Sequence, residues 1–270
     1  KYIIDLFCGC GGFAEGFERS GYQSYLSADF DYWACETFKS RFKKSKVINE
    51  DITSDKFKAI LKKQTKGVII DGVVAGLPCQ SFSSVGRAQD KFSMAKDKRN
   101  YFYKDFFECI KIIKPNFFVF ENVRGILSAK PNGVKIFDNI LELSKKLGYV
   151  TLDDTSKMVF DTSEYGVPQT RKRVFVIGVK KKYSKLIPKI YDDLINVQKD
   201  KNRYTVKDAI SDLPPLKPGE GVEKIKVLKK NKNDYLKKIT NSKFIYNHVA
   251  RNHNEKDRQR YKYLSKNNWA

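Results

Sequence analysis

The chain has 270 residues, 41% of them hydrophobic, which is enough for one large domain or for one domain and part of a second. No apolar run reaches the length needed to span a bilayer, so the sequence argues against a membrane protein and predicts a soluble, cytoplasmic one. The net charge of +22 attracts polyanions, nucleic acid first among them, although a lysine-rich proteome would give the same excess.

Short apolar segments alternate with amphipathic ones along the first 180 residues. The pattern predicts, in chain order, a strand over 2–7, a glycine-rich turn over 8–12, a helix over 13–19, strand 25–28, helix 33–42, strands 47–52 and 68–75, helix 101–113, strand 117–121, helix 134–147, and strands 151–160 and 173–179. This alternation predicts an α/β fold with a Rossmann-like, doubly wound, mostly parallel sheet.

The character of the chain changes after residue 180, where lysine and asparagine become more frequent and a proline-rich connector occupies 213–219. We expect one domain over 1–200 and the start of a second, smaller domain over 201–270. The chain begins without Met and stops without a terminal cap signal, which suggests a fragment, a subunit or a trimmed chain. The five cysteines, an odd number without zinc-type pairing, are expected to be reduced thiols, and no metal site is predicted.

Three consecutive predicted strand ends carry residues suited to an adenosine. The turn after the first strand contains Gly9, Gly11 and Gly12. These glycines would let the backbone approach a ligand closely. Asp29, 24 residues after Asp5, suits a ribose diol, although a helix-capping aspartate is an equally good interpretation. Phe30 can stack on an adenine, Asp51 can accept from its amino group, and Ile52 can pack on the ring.

A cysteine, a glutamate and two arginines follow at other predicted strand ends. Cys79 comes directly after a proline, on a loop where open α/β sheets bind ligands, although an isolated cysteine there would be structural. Glu121 lies where a strand leaves the apolar interior, so it can have a raised pKa and donate a proton, unless it is a surface glutamate. Arg171 and Arg173 would point the same way in an extended segment and suit a phosphate or a carbonyl oxygen.

In this order the segments resemble the motifs of the DNA (cytosine-5) methyltransferase family, in its bacterial restriction-modification form. The matching segments are DLFCGCGG at 5–12, PCQ at 78–80, ENV at 121–123 and QTRKR at 169–173, with 97–102 similar to the cofactor-side loop and helix. The resemblance covers residues 1 to about 180, and 205–210 resembles the segment that leads into the family's target recognition domain.

The resemblance implies the methyltransferase fold and the transfer of a methyl group from S-adenosylmethionine to C5 of a flipped-out cytosine in double-stranded DNA. Cys79 would attack C6, Glu121 would donate to N3, Arg173 would bind O2, and Arg171 would support the thiolate or a phosphate. The implied cofactor contacts are Asp5, Phe7, Gly9, Gly11, Gly12, Asp29, Phe30, Asp51, Ile52, Pro78 and Phe102. The implied DNA contacts are Gln80, Ser83, Gly86 and Arg87.

The family carries two further motifs beyond its recognition region, and neither is found in this sequence. We therefore expect a trimmed enzyme, or one half of a split enzyme whose second chain supplies the recognition domain and these motifs, and weak methylation by this chain alone.

Three alternative functions compete with this interpretation. A tRNA cytosine-5 methyltransferase tends to carry Pro-Pro-Cys-Gln, whereas this chain has Leu77 before Pro78. A catalytically silent scaffold would not need to keep all four catalytic side chains. An NAD-type oxidoreductase would explain Asp29 but neither Cys79 nor Glu121.

Overall fold

The computed structural model describes residues 1–78, 97–197, 203–227, 233–240 and 242–266. The chain divides into two compact units. The first contains Lys1–Asp161 and Arg171–Gln198, and the second contains Thr162–Thr170 and Lys199–Ala270. Among the described residues, no helix is long and apolar enough to cross a membrane.

The first unit is built from alternating strands and helices. Its elements are β1 (Tyr2–Leu6), α1 (Gly12–Arg19), β2 (Gln23–Asp29), α2 (Tyr32–Arg41), β3 (Lys46–Asn49), α3 (Asp55–Thr65), β4 (Gly72–Gly76), α4 (Phe102–Ile113), β5 (Phe117–Val123), α5 (Ile136–Lys146), β6 (Tyr149–Thr151), β7 (Val159–Asp161), β8 (Lys172–Lys180) and α6 (Leu186–Asn196).

The sheet has the strand order β3-β2-β1-β4-β5-β8-β6, with β7 paired to β8. Strands β1 to β5 pair in parallel, so their carboxyl ends share one edge. Strand β8 runs antiparallel to β5, β6 and β7. The predicted mostly parallel α/β sheet is confirmed. The chain reverses its winding between β1 and β4, which is where sheets of this kind bind ligands.

Aromatic side chains of β5 show that both faces of the sheet are covered. Phe117 stacks on Phe17 of α1, with ring centroids 6.0 Å apart. The next residue, Phe118, packs edge-on against Phe106 of α4 at 5.7 Å. Successive side chains of a strand point to opposite faces, so α1 and α4 lie on opposite sides of the sheet. This arrangement confirms the doubly wound architecture.

Three of the predicted strands differ from those in the structure. The predicted strand 47–52 already ends at Asn49, so Asp51 and Ile52 lie in the turn that follows it. The predicted strand 68–75 begins only at Gly72, and Ile69 is 80% exposed. The preceding Asp71 instead bonds the start of β1, where its carboxylate accepts from the Tyr2 amide at 2.9 Å. The predicted strand 151–160 is two short strands, β6 and β7, because a 3-10 turn at Thr155–Met158 separates them and Asp154 caps that turn.

Two helices of the first unit, α3 and α6, were not predicted. In α3 the apolar signal is sparse, since Phe57 and Leu61 are its only buried residues and lysines surround them. The start of α3 is nevertheless fixed by Ser54, whose hydroxyl accepts from the Phe57 amide at 3.0 Å.

The second unit contains a small antiparallel sheet and three short helices among its described residues. Its elements are α7 (Val206–Ile210), β9 (Gly221–Lys226), α8 (Asp234–Ile239), β10 (Phe244–Val249) and α9 (Glu255–Lys266). A capping box formed by Thr205 and Asp208 starts α7. Leu236 of α8 is fully buried, whereas most of the hairpin formed by β9 and β10 is exposed.

We predict that Gly11→Ala destabilises the protein by about 1–3 kcal/mol. Gly11 has a φ of +92°, and a Cβ there would lie 2.3 Å from Cε2 of the buried Phe42. Urea unfolding measures the loss. The matched control is Gly16→Ala in the middle of α1, where a Cβ meets nothing within 4 Å. The control should be neutral or stabilising by up to about 1 kcal/mol, and equal effects of the two variants would contradict the prediction.

Candidate active site

The glycine-rich turn between β1 and α1 has an unusual backbone. Phe7, Gly9 and Gly11 all have positive φ angles. The turn is held by hydrogen bonds from the Cys8 amide to the Ala28 carbonyl at 3.1 Å and from the Gly11 amide to the Cys8 carbonyl at 2.9 Å. A Cβ built at Gly9 or at Gly12 would meet nothing within 4 Å, so the backbone faces open space at both positions. A ligand can therefore approach the main chain here.

Asp29 ties this turn to the end of β2. One of its carboxylate oxygens accepts from the Gly9 amide at 2.9 Å, and the other accepts from the Asp31 amide at 3.0 Å. The following Phe30 leaves 75% of its surface exposed. Asn49, at the end of β3, donates its side-chain amide to the carbonyls of both Asp29 and Phe30. An anchored carboxylate beside an exposed ring suits a ribose and an adenine.

Two further predicted cofactor contacts lie after β3. The exposed Asp51 uses one carboxylate oxygen to accept from the amide and the hydroxyl of Thr53, at 2.9 and 2.8 Å. Its other oxygen has no hydrogen-bond partner among the described residues. Ile52 is only 2% exposed, so little of its side chain is available to a ligand.

Asp5 is fully buried beneath the turn. One oxygen accepts from the Ala14 amide at 3.2 Å, and the other has no hydrogen-bond partner among the described residues. Burial raises its pKa well above the ordinary value, and the charge of Asp29 adds to the rise.

Phe7 stacks on Phe102 of α4 with ring centroids 5.6 Å apart. The structure thus brings the first predicted motif and the helix that follows residue 97 together.

Glu121 lies near the end of β5 and pairs with Arg173. Its Oε1 is 2.7 Å from Nε of Arg173, and both side chains are largely buried. Burial raises the pKa of Glu121, whereas the charges of Arg173 and Arg171 and the hydrogen bond from Arg173 lower it, and the net direction is upward. The carboxyl is therefore suited to hold a proton and to pass it on.

Asp161 fixes the segment that carries the two arginines. At the end of β7, its carboxylate accepts from the Arg171 amide at 3.3 Å. Arg173 lies opposite Val123 of β5 and Phe160 of β7 in the strand register, and its Nη1 donates to the Lys172 carbonyl at 2.8 Å. The guanidinium is thus oriented toward the carboxyl end of β5.

The strand that precedes the predicted nucleophile in the sequence ends beside Glu121. Gly76, the last residue of β4, pairs with Glu121 in the strand register, and Pro78 is the last described residue before the next segment. Cys79 itself lies outside the described residues, as do the predicted DNA contacts Gln80, Ser83, Gly86 and Arg87.

The described cysteines divide by burial. Cys8, Cys35 and Cys109 are buried, and burial raises the pKa of each thiol, which makes each a poor nucleophile. Cys10 is exposed in the glycine-rich turn. In the described ranges, no cluster of three or more His, Cys, Asp or Glu residues could hold a metal ion.

Two residues that support the site were not predicted from the sequence. Asn49 holds the backbone of Asp29 and Phe30, and Asp161 holds that of Arg171. Each stands at the last position of a strand, β3 or β7. A polar residue at the end of an apolar strand is the pattern that predicted Asp29 and Glu121 as site residues. The same pattern fits Asn49 and Asp161.

Comparisons with known proteins give one consistent result. A family model described as C-5 cytosine-specific DNA methylase matches residues 2–270. The chain is 37% identical over 266 residues to the type II methyltransferase M.DdeI of Desulfomicrobium norvegicum, a match that covers 94% of this chain and 58% of that protein. It is 30% identical to the type II methyltransferase M.AquIA of a Picosynechococcus species, over 81% of this chain and 91% of that protein.

One similar solved structure is that of a proposed DNA modification methyltransferase encoded within a prophage of E. coli. It aligns with a TM-score of 0.65 and 30% identity, over 87% of this chain and 63% of that one. The chain thus spans less than two thirds of the length of both this protein and M.DdeI.

We predict that Glu121 makes folding stability depend on pH. Its pKa is higher in the folded state, so its contribution is fully present below the unfolded pKa of about 4.3 and is lost as the pH rises through the raised folded value. Glu121→Gln mimics the protonated form. The wild type should therefore lose stability relative to this variant as the pH rises above the unfolded value of about 4.3, as measured by urea unfolding.

The control for this experiment is Glu142→Gln in α5, at an exposed position. The stability difference between the wild type and this control should vary little with pH. A Glu121→Gln difference that is equally flat, or that moves in the opposite direction, would contradict the predicted rise in pKa.

Proposed function

The chain belongs to the C-5 cytosine-specific DNA methylase family, and from this we propose that it transfers a methyl group from S-adenosylmethionine to C5 of cytosine in duplex DNA. Type II methyltransferases among its relatives support a role as the modification enzyme of a restriction-modification system. Such an enzyme works on chromosomal DNA, in the bacterial cytoplasm and at the nucleoid. The observation that carries the proposal is the Glu121–Arg173 pair beside the strand that leads to Cys79.

The residues at the carboxyl ends of β1 and β2 fit an adenosine-containing cofactor. The open faces of Gly9 and Gly12 leave room for the ligand, the carboxylate of Asp29 suits the ribose hydroxyls, and the exposed ring of Phe30 suits the adenine. When bound there, S-adenosylmethionine supplies an electrophilic methyl group. Phe102, stacked on Phe7, closes the site on the α4 side.

Glu121 activates the cytosine in this proposal. C5 of cytosine is a poor nucleophile, so electron density must first be added to the ring. Glu121 donates its proton to N3, which makes C6 electrophilic, and its raised pKa keeps that proton available. Arg173 holds O2 of the base and Arg171 lies close enough to act on Glu121 by charge.

Cys79 supplies the nucleophile. Its thiolate attacks C6 and forms a covalent bond, C5 then takes the methyl group, and loss of the C5 proton expels the thiolate and restores the ring. Nearby arginines would favour the thiolate over the thiol. Because the ring is inaccessible within a duplex, the target cytosine must be flipped out of the helix.

The contacts with DNA extend beyond the catalytic residues. We propose that Gln80, Ser83, Gly86 and Arg87 contact the DNA near the flipped base and that residues 201–270 begin the target recognition region. The net charge of +22 favours a salt-dependent affinity for the backbone. The matched part of M.DdeI is 58% of its length, so we propose that a further region, on the same polypeptide or on a second chain, completes recognition.

Covalent trapping tests this function directly. With S-adenosylmethionine and duplex DNA that contains 5-fluorocytosine, the chain should form an adduct that survives denaturation, because fluorine cannot leave C5 as a cation. Mass spectrometry should place the adduct on Cys79, and Cys79→Ser should abolish it. Cys10→Ser is the matched control, because Cys10 is the exposed cysteine of the glycine-rich turn.

Glu121→Gln should slow adduct formation by roughly 10²–10⁴-fold, while the Glu142→Gln control should not. An adduct on another cysteine would contradict the assignment of the nucleophile. The proposed activity would be contradicted if the chain binds both S-adenosylmethionine and DNA but forms no adduct in any tested sequence context.

We predict that Asp29→Ala weakens binding of S-adenosylmethionine by about tenfold or more, the effect of losing one hydrogen bond to a charged group. Calorimetry measures the affinity, and Asp29→Asn, which keeps one acceptor oxygen, should lose less. Asp138→Ala in α5 is the control, because its carboxylate is 65% exposed and lies on another element. Unchanged affinity in a folded Asp29→Ala protein would contradict the assigned role.

A further inference from the structure

One face of the hairpin formed by β9 and β10 combines lysines with exposed aromatic rings. Lys224 lies opposite Tyr246 in the strand register, and Lys226 lies opposite Phe244. The ammonium of Lys224 sits over both rings, 4.4 Å from the centroid of Phe244 and 5.5 Å from that of Tyr246. These residues therefore share one side of the sheet, which we call the lysine-aromatic face.

The lysine-aromatic face is the open side of the hairpin. Phe244 is 38% exposed and Tyr246 is 56% exposed, as is Val222 at 53%, which alternation places on the same side as Lys224. The cross-strand pair of Ile225 and Ile245 points the other way, and both residues are half-buried. The hairpin thus packs through one side and leaves the other to solvent.

The hairpin is held in a fixed shape by contacts at its base. The backbone of Gly221, with a φ of +119°, comes so close to β10 that a Cβ would lie 2.2 Å from the His248 carbonyl oxygen. The imidazole of His248 hydrogen-bonds the Pro214 carbonyl at 2.8 Å. Because the rings also flank its ammonium, Lys224 loses less freedom on binding a partner than an unsupported lysine would.

The positive charge around the hairpin favours an anionic partner. Residues 221–249 contain eight lysines and only two acidic residues, Glu223 and Asp234. Glu223 alternates with Lys224 and so lies on the other side of β9, and Asp234 pairs with Lys237 of α8. No acidic side chain of the described hairpin therefore neutralises the lysine-aromatic face. A positive, partly aromatic surface on a two-stranded ribbon complements the DNA sugar-phosphate backbone.

We propose that the lysine-aromatic face binds the backbone of duplex DNA, with Lys224 and Lys226 on phosphates and the Tyr246 hydroxyl as an additional donor. The contact is independent of base sequence and adds affinity to the catalytic unit. This inference rests on the proposed function, because it takes duplex DNA as the substrate. It assigns a DNA contact outside the segments that carry the catalytic motifs.

The salt dependence of DNA binding tests the inference. The double variant Lys224→Gln/Lys226→Gln removes two charges and keeps the side-chain length. Fluorescence anisotropy with a labelled duplex, over a series of NaCl concentrations, should show a dissociation constant raised on the order of tenfold and a log–log salt slope smaller by about two. The double variant Lys224→Arg/Lys226→Arg keeps both charges, so it should retain most of the wild-type affinity and salt slope.

The matched control is Lys62→Gln/Lys63→Gln at the exposed end of α3, which removes the same net charge from the first unit. An equal change in slope for this control would show that only the total charge matters and would overturn the inference. An unchanged slope in the hairpin variant would also overturn it. So would a loss of folding stability or a change of oligomeric state with the slope unaltered, since either would show that protein covers this face.

Failure of the inference and failure of the proposed function give different results. The binding experiment involves no chemistry, and the hairpin variant should still form the 5-fluorocytosine adduct at saturating DNA. A normal adduct with an unaltered salt slope would contradict the hairpin contact and support the methyltransferase activity. A salt slope that depends on the hairpin lysines, without any adduct in the wild type, would support the hairpin contact and contradict the activity.

Discussion

The proposed chemistry depends on one carboxylic acid that is subject to two opposing electrostatic effects. Burial at the end of β5 raises the pKa of Glu121, and two arginines lower it. Desolvation alone would hold the proton too firmly, and the arginines alone would remove it. Their combination leaves a group that can give a proton to the base and take it back, which a catalytic acid must do.

The strand topology creates this pair. Strand β8 is antiparallel to β5, so its first residues lie beside the last residues of β5, with Arg173 opposite Val123. A parallel strand at this place would have put Arg173 at the far edge of the sheet, beside the start of β5. The reversal of one strand in a mostly parallel sheet therefore brings Arg173 to the end of β5 that carries Glu121. Parallel pairing of β4 with β5 then brings the Pro78 segment to the same edge.

Short-range sequence patterns predicted most residues of the candidate site. Glycines after an apolar strand pointed to the turn at Gly9, and acidic residues at strand ends pointed to Asp29 and Glu121; their roles in binding and catalysis stay predictions. The direction of β8, by contrast, is decided by pairing between distant segments, and no local pattern encodes it. The helix α3 was missed because lysines hide its two buried residues, and the extent of β4 was overestimated because Ile69 is apolar yet exposed.

The most direct test of this account is an NMR titration of the Glu121 carboxyl in protein labelled with ¹³C-glutamate, assigned with Glu121→Gln. We expect its pKa to lie above the ordinary glutamate value of about 4.3 and to rise further in Arg173→Gln, because the lowering effect of the arginine is then lost. A pKa at or below the ordinary value in the wild type, or one unaffected by Arg173→Gln, would contradict the central claim.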